Sequence, residues 1–180
     1  MSYCEYVDSL PPDNVHKIYH DTQYGFPLDS DDELFGRLLL EINQAGLSWN
    51  TILNKQENFR RAYSNYSIKK VASYNESEIA RLLSDEGIIR NRLKINAAVH
   101  NAKVILDLQA DFGSFKAWLD SQKDLDLEKW VKLFKKHFKF TGGEITKEFL
   151  MSTGYLKGAH IETCEINNKI LSLKPAYIRN

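Results

Sequence analysis

In the run Leu38-Leu39-Leu40-Glu41-Ile42-Asn43-Gln44-Ala45-Gly46-Leu47-Ser48-Trp49, one carboxylate stands behind three leucines and in front of an isoleucine. A helix this apolar around Glu41 is largely buried, and a buried carboxylate is costly unless it meets a partner or a ligand. Two chemistries fit. Glu41 can reach water at a boundary, or pair with a nearby Arg or a backbone N–H. It can instead hold a cationic aromatic ligand, which both a desolvated carboxylate and an aromatic face such as Trp49 would attract. Tyr6, Tyr19 and Tyr24 lie in the preceding segment, and each would also suit a core.

A second set of reactive side chains is divided between the chain ends: Cys4 and His20 near the start, His160 and Cys164 near the end. His160 and Cys164 are four residues apart, which places them on one face if the segment is helical. Two Cys and two His form a closed tetrahedral set suited to structural zinc. Such a site would tie the ends together, where packing is otherwise weak. Four protein ligands leave no open position, so a catalytic zinc is disfavoured. Pairs this far apart do not have zinc-finger spacing, and the same residues fit two buried thiols and two unrelated histidines. Two cysteines make no disulfide framework.

A third feature is a turn between two helical patterns. Ser77 to Ser84 reads as a short helix, Asp85-Glu86-Gly87-Ile88-Ile89 as a tight connection, and Arg90-Asn91-Arg92-Leu93-Lys94-Ile95 as the opening of a long helix. Gly87 would free the backbone to turn sharply, and the exposed N–H groups with the helix N-terminus can hold a phosphate. Arg90, Arg92 and Lys94 supply charge beside it. An ordinary helix–turn–helix corner with solvated basic residues accounts for the same pattern.

The elements that must position these residues are helices. The 4 Pro stand at positions 11, 12, 27 and 175, so almost the whole interior is Pro-free. Asp29-Ser30-Asp31-Asp32 is a helix start signal ahead of Leu34, Leu38 and Ile42, with acids where a helix N-terminus favours them. Helical periodicity predicts further helices at 47–63, 67–73, 76–84, 90–108, 111–119, 125–137 and 145–153. Alternating strand patterns are nearly absent. The fold class is all-α, with residues 1–180 forming a single domain.

Formal net charge is 0, yet residues 1–50 carry −7 and residues 51–103 carry +5. A basic middle third suits a phosphate-facing patch, as it suits a solvated helical face. No apolar run reaches signal-peptide or membrane-span length, so a cytoplasmic protein is expected.

Several segments recur together in one order: Tyr19-His20-Asp21 with Tyr24-Gly25, Leu40-Glu41 through Gln44-Ala45-Gly46-Leu47-Ser48-Trp49, Gly87-Ile88-Ile89-Arg90-Asn91-Arg92 with Lys94-Ile95, Phe138-Lys139-Phe140-Thr141-Gly142, and His160 with Cys164. Taken together they resemble the 3-methyladenine DNA glycosylase I family, along most of the chain. The resemblance implies an all-α helix–hairpin–helix protein that flips and hydrolytically removes 3-methyladenine from double-stranded alkylated DNA, as a monomer without an obligate protein partner. It implies that Cys4, His20, His160 and Cys164 bind a structural zinc. It implies further that Glu41 and Tyr19 hydrogen-bond the edge of the extruded base, that Trp49 stacks on it, and that Tyr6, Tyr24 and His16 lie around the pocket. Ala45-Gly46-Leu47 would fill the gap left in the duplex, and the backbone near Gly87, with Arg90, Arg92 and Lys94, would hold the phosphates.

The sequence departs from the family pattern at four places. Tyr6 and Tyr24 stand where tryptophan is usual, His16 where tyrosine is common, and Lys157-Gly158-Ala159 replaces a Val-Asn-Asp-like run. Rival readings remain. In one, Asp107 or Asp111, downstream of the hairpin, stabilises a sugar cation as in other helix–hairpin–helix glycosylases. In a second, the protein only binds DNA and needs the hairpin but not Tyr19, Glu41 or Trp49. A third is a glycosylase with a different alkylated-base preference, and a fourth a structural zinc protein that docks other proteins, for which there is no positive sequence feature.

Overall fold

The interior without proline folds into helices throughout. The computed structural model describes residues 1–179, and among them there is no strand. In chain order the helices are α1 (Tyr3–Asp8), α2 (Val15–Thr22), α3 (Asp31–Gln44), α4 (Trp49–Asn54), α5 (Gln56–Ala62), α6 (Ile68–Ala72), α7 (Glu76–Ser84), α8 (Arg92–Phe112), α9 (Phe115–Ser121), α10 (Leu127–His137), α11 (Gly143–Ser152) and α12 (Glu165–Ser172). No helix among the described residues is long and apolar enough to cross a membrane.

Helix α3 is the centre of the molecule. Every residue from Leu34 to Asn43 is buried, the charged Arg37 and Glu41 included. A helix apolar on all sides must be surrounded, and α4, α8, α9 and α11 pack around it. Its start signal serves more than itself. Ser30 accepts from Glu33 N at 3.3 Å, while Asp31 accepts from the backbone of Phe115 at 2.8 Å and Lys116 at 2.9 Å. Asp32 accepts from Ile68 N at 3.0 Å. Three consecutive polar residues thus cap α3, α9 and α6, which fixes how two neighbours meet the central helix.

The expected helix at 47–63 is two helices, α4 and α5, broken at Lys55. Here the Lys55 N–H closes onto the Ile52 and Leu53 carbonyls and the chain tightens before restarting. The expected stretch at 90–108 begins at Arg92 and runs to Phe112, and Gly113 at φ 89° ends it. Three short helices, α1, α2 and α12, had no sequence expectation. At six to eight residues they are held by tertiary packing rather than by propensity. The segment from His160 to Cys164 is not helical: it is a turn, with Cys164 as the N-cap of α12.

Candidate functional site

Helix α2 carries three residues that the site uses. His16, Tyr19 and His20 follow one another at the spacing of a single helical face, and the Asn14 side chain caps that helix by accepting from His16 N at 2.9 Å. His16 and Tyr19 turn toward a cavity of about 510 Å³, which Tyr3, Tyr24, Glu41, Gln44, Trp49, Glu144 and Glu148 also line. His20, at the far edge of that face, reaches the cysteines instead.

Glu41 sits one turn beyond Arg37 on α3 and is 4% exposed. Among the described residues, nothing donates a hydrogen bond to its carboxylate and no cation pairs with it. Burial pushes its carboxyl up to about 8, against the pull of Arg37 and with a further push from Glu148. The Tyr19 hydroxyl is buried without a partner, and burial raises it so far that it stays a neutral donor. The Arg37 guanidinium stays behind the cavity: it lies 5.4 Å from the Tyr19 ring centre and donates to the Ser152 carbonyl at 3.0 Å.

Trp49 is the first residue of α4, after Ser48 caps that helix by accepting from Thr51 N. Its ring meets Tyr19 edge-on at 5.2 Å. The turn that delivers it, Ala45-Gly46-Leu47, needs a glycine because Gly46 has φ 80°, in the left-handed region. Leu47 at its tip is 39% exposed.

The four Cys and His side chains converge. Their ligand atoms all lie within 4.8 Å of one another. Cys4 Sγ is 3.7 Å from His160 Nδ1, and Cys164 Sγ is 3.6 Å from the same nitrogen and 3.7 Å from His20 Nε2. Each imidazole uses its other nitrogen elsewhere: His20 Nδ1 bonds Asp21 at 2.7 Å, and His160 Nε2 donates to the Tyr24 carbonyl at 2.7 Å. Outer partners of this kind orient metal-binding histidines, so the group can hold a metal ion. The cluster and the cavity share a wall. Cys4 and Tyr3 are neighbours in α1, His20 and Tyr19 are neighbours in α2, and Tyr24 touches both sites.

The connection between α7 and α8 is tight, as the sequence suggested, but for a different reason. Gly87 does not have a positive φ. Its N–H donates to Asp85 Oδ1 at 2.8 Å, and a Cβ there would lie 2.9 Å from that oxygen and 3.1 Å from Asn58. Close approach, not turn geometry, calls for glycine. Arg90 and Arg92 are about half exposed, with Glu86 and Glu76 as solvent-facing partners at 3.8 and 3.2 Å. Such pairs are weak and yield easily to a phosphate.

Two expected site residues are placed elsewhere. Lys94 is 6% exposed, and its ammonium donates to the Asn43 carbonyl at 2.9 Å and the Ala45 carbonyl at 2.8 Å, so it is not free for a phosphate. It ties the start of α8 to the Gly46 turn. Tyr6 is 40% exposed and does not line the cavity; it stacks on Tyr3 at 6.3 Å. Asp107 and Asp111 are exposed on α8 and do not line the cavity either. Conversely, Tyr3, Gln44, Glu144 and Glu148 line it without a sequence signal. Nothing in local spacing distinguishes Glu148 from a surface acid of α11.

The Methyladenine glycosylase family model matches residues 10–130. DNA-3-methyladenine glycosylase 1 of Escherichia coli (strain K12) is 32% identical over 185 residues, covering 91% of this chain and 96% of the relative. A variant of 3-methyladenine DNA glycosylase I in complex with 3-methyladenine superposes with TM-score 0.82 at 30% identity, over 92% of this chain and 97% of the other. The 3-methyladenine DNA glycosylase I of Staphylococcus aureus gives 0.79 at 31% identity, over 87% and 93%.

Proposed function

The chain belongs to the methyladenine glycosylase family, and on that premise we propose that it excises 3-methyladenine from double-stranded alkylated DNA. The observation that carries this reading is Glu41: an almost fully buried carboxylate without a partner at the wall of an aromatic cavity. Glu41 gains a counter-charge only from a cationic ligand. Methylation at ring nitrogen three makes adenine such a ligand and weakens its bond to the sugar.

The base inside a duplex is out of reach, so the nucleotide is extruded, at a cost of a few kcal/mol. Leu47, on the turn that Gly46 permits and Lys94 holds, fills the gap. Arg90, Arg92 and the backbone near Gly87 hold phosphates at the start of α8. The base enters between Trp49, which stacks on it, and Glu41 and Tyr19, which bind its edge, with His16 and Tyr24 at the sides. The glycosidic bond breaks with its electron pair passing to the base, whose positive charge is thereby cancelled. Water adds to the sugar carbon and loses a proton, leaving a free base and an abasic sugar. Burial favours the protonated form of Glu41 until a cation pairs with the carboxylate; a neutral adenine offers no such pairing, which is the source of selectivity.

Zinc suits the four-residue cluster. Tetrahedral Zn–S and Zn–N bonds set sulfur and nitrogen about 3.6 Å apart, and the separations here are 3.6 to 3.7 Å. Zinc held by Cys4, His20, His160 and Cys164 would supply a clamp between the chain ends and no open position for chemistry. Tyr3, Tyr19 and Tyr24, beside those ligands, would be steadied by it. Two unbridged thiols at this cluster suit a cytoplasmic protein.

The test is release of free 3-methyladenine from methylated duplex DNA, with Glu41→Gln and Trp49→Ala beside the parent. The parent is expected to release the base and each variant to lose about a hundredfold or more in kcat/KM. Full activity and selectivity in Glu41→Gln would remove the role given to it. No release by a parent that still binds DNA would leave a DNA-binding module instead.

A further inference from the structure

The cavity holds a second carboxylate whose place the reaction above does not use. Glu148 lies on α11, on the wall that also carries Glu144, and is half-buried. The Tyr24 hydroxyl donates to its Oε2 at 3.2 Å. Among the described residues that is its only hydrogen bond, and no cation lies within ion-pair distance of it. Glu148 therefore has a fixed orientation and an unused oxygen, in a cavity where Glu41 is also unpaired. Tyr19, whose hydroxyl is buried without a partner, lines the same space.

Two carboxylates close to one enclosed space repel each other when it is empty, and burial raises both. A neutral purine relieves neither. A planar cation between them pairs with both at once, through its delocalised charge and its ring-edge donors. Tyr24 makes the arrangement specific, because its hydroxyl holds the Glu148 carboxylate at the cavity wall.

We propose that Glu148, held by Tyr24, is a specificity-determining residue of this enzyme, a second anionic contact by which the pocket prefers cationic alkylated purines over neutral ones. This rests on the base-pocket reading given above. It adds a residue on α11 to the recognition, and it makes the discrimination between cation and neutral base a property of two carboxylates.

The test measures binding of two small probes to the metal-loaded protein by quenching of Trp fluorescence. One is 3,9-dimethyladeninium, a permanent cation; the other is its neutral isostere, 3,9-dimethyl-3-deazaadenine. Glu148→Gln keeps an acceptor for Tyr24 and removes only the charge. It is expected to weaken the cation about tenfold and the neutral probe less than twofold. Tyr24→Phe, which frees the carboxylate but keeps its charge, should reduce the cation preference by a smaller factor. An unchanged preference in Glu148→Gln, or equal weakening of both probes, would overturn the proposal. In that case Glu41→Gln would still lose the cation selectively if the base-pocket reading holds. A parent that binds neither probe would overturn both.

Discussion

Two groups of aromatic rings occupy opposite roles in this molecule. Around α9, α10 and α11, the rings of Phe115, Trp118, Trp130, Phe134, Phe138 and Phe149 pack with centroids 5.2 to 6.5 Å apart, all of them buried. Around α1, α2 and α4, Tyr3, His16, Tyr19, Tyr24 and Trp49 pack at 5.2 to 5.9 Å. Ring spacing does not separate the two. Nor does an unpartnered polar atom, since Trp130 Nε1 in the first group is as orphaned as the Tyr19 hydroxyl in the second. The difference is that the first group closes on itself, whereas the second stands around empty space with Glu41 and Glu148 facing it. Packing density makes the first group stabilising. Carboxyl groups without a cationic partner beside a void make the second a site, at some cost in stability.

That contrast can be broken. Trp130→Ala should cost about 3–5 kcal/mol, lowering Tm by roughly 6–20 °C for a chain of this size. Trp49→Ala, at the half-buried cavity wall, should leave Tm within about 4 °C by the same scale. Equal losses in thermal denaturation would mean that the cavity rings are core after all.

A pH series sharpens the comparison next. The folded protein holds the Glu41 proton up to about 8, well above the ordinary carboxyl value of 4.5. A group raised in this way contributes its stability below the unfolded value and loses it as pH climbs through the folded one. Glu41→Gln should therefore gain on the parent by a few kcal/mol between about pH 4.5 and 8, with no further gain above that. Denaturant midpoints across that range measure it, and a constant offset would mean that Glu41 is already compensated.

The smallest expected effect lies on the hairpin. Arg90→Ala should change stability by less than about 0.5 kcal/mol, because its pair with Glu86 is solvent-facing. Binding to undamaged duplex should weaken, and the slope of log K against log salt should fall by about 1. An unchanged slope would place Arg90 away from the phosphates.

Several parts of this outcome were legible in the residue order. The buried surroundings of Glu41 follow from three leucines and an isoleucine beside it. The cap at Ser30 and the turn at Gly46 follow from residue types whose local physics is strong. Other parts were not legible. Lys94 reads as one more cation beside Arg90 and Arg92, and only the packing of α8 against the end of α3 turns it inward to two carbonyls. His160 and Cys164 keep a helical spacing without being helical, because the chain turns between them and Cys164 becomes the N-cap residue of α12.

The sequence by itself determined the helical class and the apolar surroundings of Glu41. Each of these depends on residue type and on neighbours within a few positions. Only the tertiary structure decided that Cys4 meets His160 across a separation of 156 residues, and that Tyr24 reaches Glu148 across 124. Periodicity reports which face of a helix is apolar. Which helices those faces meet is settled by packing α4 and α11 against α3, α2 against α4 and α1 against α2, and the cavity exists only where those helices leave a gap.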